Sequence, residues 1–197
     1  MEKVNFLAVT IVFAPVEKVK EAVDRQLFLW WKSVNENENL TERHPFDLEK
    51  SVNPKPKKVS LFEVEAQEPA VLIEANLEDG YSSLTHMVSS AMPAYRFVII
   101  RSSAGAKDEW PIQEFVLMQG KKTIRSLRVM KDTSGWEYWE EGKLQSFEEP
   151  ELYEARVKKE RLTREMIVRY TDRLSVNLEA IANGDGYRSV AFYAEGI

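Results

Sequence analysis

The chain contains no cysteine. That absence excludes disulfide scaffolds, thiolate metal centres and cysteine nucleophiles together, and it fits a reducing compartment, with the cytoplasm as the expectation. Histidine is nearly as scarce, with His44 and His86 alone. A zinc site draws on several His or Cys ligands. No HExxH occurs and no acidic run has EF-hand spacing, so no metal is expected. Glycine is limited to eight residues, and Gly80, Gly105, Gly120, Gly135 and Gly142 stand isolated in turn-like surroundings. Neither a phosphate-binding loop nor GxGxxG can be assembled from them, so no nucleotide cofactor is expected. Long apolar runs are missing as well. The stretch from Phe6 to Ala14 is broken by Thr10 and falls short of the roughly 20 residues a spanning helix needs. It also lacks the basic start and small-residue cleavage site of a signal peptide.

What is present is an ordinary globular balance. Hydrophobic residues make up 44% of the 197 and charged residues 30%, enough apolar material for one well-filled core across a single domain, 1–197. The net charge of −5 argues against nucleic acid and against an anionic membrane, since both are held by neutralising phosphates with a basic face.

Patterning predicts an α+β domain. Residues 4–13 are β-branched and aromatic and read as a buried strand. Pro15 opens a helix whose stripe (Val16, Val19, Val23, Leu27, Trp30, Val34, widened by Trp31) repeats at steps of three and four. Residues 35–58 are polar and proline-punctuated, the profile of a flexible or functional loop. Strands at 59–66 and 70–77 are joined by Gln67-Glu68-Pro69. Asp79-Gly80 turns the chain toward a helix capped by Ser82, with Leu84, Met87, Val88, Ala91 and Met92 as its apolar stripe. A buried strand at 95–101 leads through the loop SSAGAKDEWP to three strands at 112–118, 121–130 and 136–140, which short turns join into a meander. Pro150 opens a helix over 150–160, Thr163 caps another to Leu174, and 189–194 adds a last strand. The expected whole is an antiparallel sheet of about six to eight strands packed with four helices, without the alternation of a doubly wound fold.

Two constellations invite a catalytic reading. His86 lies near Asp79, Ser82 and Ser83, which would allow a hydrolase or small-ligand enzyme using His86 with Ser83 or Asp79. Against it, Ser82 has a sufficient explanation as a cap and no GxSxG turn exposes a serine. Glu140, Glu141, Glu148 and Glu149 beside Trp136, Tyr138 and Trp139 resemble the carboxylate-plus-aromatic sets of sugar hydrolysis. Glu148 and Glu149, however, stand where a helix N-terminus favours negative charge.

Charge distribution points elsewhere. From Asp132 to Glu160 there are nine acidic and four basic residues, an excess equal to that of the whole chain. Together with Trp136, Tyr138 and Trp139 these carboxylates have the ingredients of a surface for a basic partner protein: charge to speed encounter, aromatics to anchor it. Aromatic surfaces also serve self-association, so a structural homo-oligomer is a further expectation.

The segments PIQEF (111–115), SLRVMKD (126–132) and GWEYWEEGKLQSFEEPELYEARVKKERLTREMIVRY (135–170) resemble a pattern in uncharacterised bacterial proteins: a tryptophan strand, an acidic turn and a basic helix with RLT near the next cap. Some small acidic bacterial proteins of this α+β type are immunity proteins, which neutralise toxins by masking their active sites. The resemblance implies a non-catalytic inhibitor and carries no functional residue with it.

Overall fold

A computed structural model describes residues 6–32, 34–36, 44–103 and 111–195. Within them the chain forms one nine-stranded sheet in the order β2-β9-β3-β4-β1-β5-β6-β7-β8, with every neighbouring pair antiparallel. The strands are β1 Phe6–Phe13, β2 Val34–Glu36, β3 Lys58–Val64, β4 Ala70–Ala75, β5 Arg96–Ser103, β6 Ile112–Gln119, β7 Lys122–Asp132, β8 Gly135–Gly142 and β9 Tyr187–Glu195. The helices are α1 Val16–Trp30, α2 Ser82–Ala91, α3 Arg164–Arg173 and α4 Leu178–Ala182. The α+β class and the meander β6 to β8 are as patterning predicts, and β5 extends the same antiparallel run. The three-residue β2 lies inside the stretch expected as helix end and loop. Residues 37–43 of that loop and 104–110 lie outside the described residues.

Each face of the sheet carries its own core. Val59, Leu61, Val71, Ile73, Phe97 and Ile99 pack with Val19, Val23 and Leu27 of α1 and with Leu84 and Val88 of α2. On the opposite face Ile11, Phe62, Leu72, Ile100, Phe115 and Leu127 meet Met166, Ile167 and Tyr170 of α3 and Leu178 and Ile181 of α4. The alternation within each strand serves both cores, which is why β1 and β4 read as continuous apolar runs.

Local expectations were modified where side chains found distant partners. α1 ends at Trp30, because Trp31 turns extended and stacks on Tyr81 while donating its indole N–H to the Tyr81 hydroxyl at 3.1 Å. On α2 the buried face is Leu84, Thr85, Val88 and Ser89, and Met87 is exposed. Thr85 can face inward because its hydroxyl pairs with that of Thr10 at 2.8 Å. Residues 150–160 are not one helix but two 3-10 turns, Pro150–Glu154 and Lys158–Glu160. The carbonyl of Ala155 instead accepts from the Arg161 guanidinium at 2.8 Å. Thr163 caps α3 as expected, accepting from the Met166 amide.

Candidate functional site

The alternation of β7 places Arg125 in the same inward register as Leu127 and Val129. A guanidinium there needs partners, and the turn after β8 supplies them. Arg125 Nε donates to both oxygens of Glu148 at 3.0 Å, its NH2 group to Glu140 at 2.6 Å and its NH1 group to the Gly142 carbonyl at 3.2 Å. Burial alone would lower the Arg125 pKa; the hydrogen bonds and charges of Glu148 and Glu140 override it and raise it. The Glu148 side chain is 0% exposed. It accepts further from the Gln145 amide and the Tyr153 hydroxyl, each at 2.8 Å. Because the Tyr153 proton goes to Glu148, Tyr170 donates to Tyr153 at 2.8 Å and accepts from the Glu149 amide at 3.3 Å. Desolvation, then these hydrogen bonds, raise the Tyr153 pKa and keep the phenol neutral.

Above this buried chain opens a cleft of about 370 Å³, bounded by Arg125, Tyr153, Glu140, Glu154, Leu144 and Pro150 among others. Arg125 is the sole cation of its lining among the described residues, and that charge is already matched by Glu148 and Glu140. The mouth is therefore negative. Leu144, 53% exposed, places apolar surface at its rim, while Trp139, 48% exposed, stands on the other face of β8, opposite Arg128.

The residues expected to form a partner surface separate into two groups. Trp139, Glu140 and Glu141 stand exposed at the C-terminal half of β8. Trp136 and Tyr138 instead lean on the α3-side core, and Tyr138 lies under the Arg161 guanidinium at 5.5 Å. Glu148 is withdrawn from the surface, because Arg125 draws it inside. Glu149 is engaged by Arg169 and Arg173 at 2.5 and 2.6 Å. The hydrogen bond from Arg169 chiefly, with that from Arg173, holds its carboxyl below the usual carboxylate range.

The alternative site is not brought together as a triad. Asp79 accepts from the Tyr81 amide, the Ser82 amide and the Ser82 hydroxyl at 2.9, 3.3 and 2.6 Å, so it is Asp79 and not Ser82 that caps α2. Ser83 and His86 lie on exposed helix surface. His44, the other histidine, contacts the Tyr187 hydroxyl.

Sequence reasoning missed Arg125, Tyr153, Glu154 and a second buried pair. Glu74, the one charge in the run AVLIEA of β4, is fully buried and accepts from Lys50 Nζ at 3.1 Å and the Phe46 amide at 3.1 Å. Lys50 also reaches the carbonyls of Ala8 and Ala75, so its three protons are placed. Desolvation raises the Glu74 pKa and lowers that of Lys50, each opposed by the other's charge. The available signal was a charged residue in the inward register of a strand: such a residue implies a buried partner.

Among the described residues no group of three or more His, Asp or Glu is placed to hold a metal ion, and no helix is long and apolar enough to cross a membrane. No protein-family model, curated protein or solved structure matches the chain.

Proposed function

We propose that this chain is a non-catalytic protein-binding domain, of the immunity-type inhibitor class, that engages a basic partner protein through the C-terminal half of β8 and the cleft beneath it. The observation that carries this reading is that Glu141 and Glu154 have no ion-pair partner among the described residues, at a cleft whose own cation is already neutralised from within. A basic side chain entering there gains the rim carboxylates without displacing an existing pair. Leu144 at the cleft and Trp139 on the other face of the same strand edge supply apolar anchors of the kind such interfaces use. A cytoplasmic setting belongs to this reading and suits a chain without cysteine.

The test uses the immobilised full chain and a Glu141→Lys/Glu154→Lys variant, both exposed positions outside the Arg125 cluster. Wild type should retain a basic protein from host extract and release it as salt screens the contact; the variant should not retain it. Equal retention by the two proteins would remove the basis for this surface.

A further inference from the structure

Among the described residues β8 is the last strand of the sheet and pairs on one side only, through eight consecutive positions from Asp132↔Gly135 to Arg125↔Gly142 without a register shift. An edge strand exposes a row of unpaired N–H and C=O groups, and natural edges are guarded by charged side chains, proline, bulges or a covering element; β8 relies on glutamates of one sign, which repel a like edge but not a basic one. The segment GWEYWEEG has no proline, no lysine and no bulge against its neighbour.

One end is covered. Glu137 and Tyr138 point to opposite faces of the sheet, yet Lys158 reaches Glu137 at 3.0 Å while Arg161 lies over the Tyr138 ring. The turn at Lys158–Glu160 must therefore run past the edge between them. The other half, Trp139–Gly142, is exposed throughout.

The charges on that half choose the occupant. Consecutive residues of a strand face opposite sides, so Glu140 and Glu141 give both faces of the edge a carboxylate. Two copies pairing there would set glutamates against glutamates, and like charges directly opposite are destabilising. A strand carrying lysine or arginine meets a carboxylate on either face. On the α3 side its side chain also meets the cleft, where Leu144 and Pro150 can line the methylene stem and Glu154 the cationic head.

Resting on the binding reading above, we infer that the partner is captured by strand addition: an extended basic segment pairs its backbone with Trp139–Gly142 and lays a lysine or arginine into the cleft beside Glu154.

The probe is a capped six-residue peptide of alternating lysine and valine, compared with the same peptide methylated on every backbone amide and with a glutamate-for-lysine version. Affinity for the full chain is measured by calorimetry, and hydrogen exchange of the 139–142 amides is followed alongside. The expected result is binding of the lysine peptide with slowed exchange at 139–142, at least tenfold weaker binding of the methylated peptide, and none of the glutamate peptide. Binding by the Glu141→Lys/Glu154→Lys variant should fall by at least tenfold. Equal binding of the methylated and parent peptides, with unchanged exchange at 139–142, would overturn strand addition while leaving a charge-driven partner surface in place. Absence of binding by the lysine peptide would overturn both. Concentration-dependent dimerisation through β8, seen by light scattering and abolished by a Trp139→Lys change, would also overturn the inference, since the edge would then be taken by a second copy.

Discussion

The guanidinium of Arg125 and the carboxylate of Glu148 form a pair in which the side chain of the acid is wholly buried, Nε lying 3.0 Å from each oxygen. Buried pairs of this kind contribute little over an apolar substitute, but removing one partner strands the other charge in a medium that cannot solvate it, at a cost of about 3–5 kcal/mol. Glu148→Gln should lower the urea midpoint accordingly. Glu140→Gln, at a position whose side chain is 47% exposed, should cost about 1 kcal/mol or less. Equal losses in the two variants would show that the pair does not act as the anchor of this turn.

Lys50 and Glu74 are expected to behave as a coupled unit. Lys50→Met alone should destabilise by about 3–5 kcal/mol, because Glu74 is left buried with its charge unmatched. Adding Glu74→Leu should recover most of that loss, and a double-mutant cycle from denaturant unfolding reads the coupling directly. Additive effects would mean that the two groups do not depend on each other.

Gly142 closes β8 at a φ of +88°, and a Cβ there would fall 2.0 Å from the Ile124 carbonyl oxygen. Neither the conformation nor the space admits a side chain. Gly142→Ala should therefore destabilise the protein by more than the roughly 1 kcal/mol typical of point changes and should loosen β8, visible as faster amide exchange in 136–142.

Acid stability should report Glu149. Its folded pKa lies below that of an unfolded carboxylate, about 4.3, through Arg169 first and Arg173. The contribution is thus complete above that unfolded value and is lost as pH falls through the folded one. Urea unfolding from pH 7 to pH 3 should show wild-type stability declining below about pH 4.3, and Glu149→Gln should decline less steeply there. Parallel curves would remove Glu149 from the account.

His86 lies on exposed helix surface, and His86→Ala should leave stability within about 0.5 kcal/mol of wild type. A substrate screen on both proteins extends the check. Hydrolysis by wild type that disappears in this variant would replace the binding reading with a catalytic one.

The elements that the sequence announced are those whose signals are local. The run of β1, the 3.6-residue stripe of α1 through Val19, Val23 and Leu27, the Thr163 cap and the tight turns of the meander each depend on neighbours a few positions away. Where reading failed, a distant partner intervened. Trp31 left the helix for Tyr81, and Tyr153 joined Glu148 and Tyr170, accompanying the break of the expected helix into two turns.

The candidate site divides along the same line. Composition and charge order alone located an acidic, tryptophan-bearing hairpin near residues 136–149 and argued against thiol chemistry. Which of its carboxylates face solvent was decided only by tertiary structure. Glu140 and Glu141 stand exposed on an unpaired strand edge, whereas Glu148, a few positions on, is drawn inside by an arginine 23 residues earlier. Identical side chains differ in this way because burial of a charge is set by which opposite charge the fold brings within hydrogen-bond reach, and that pairing across strands leaves no periodic trace in the chain.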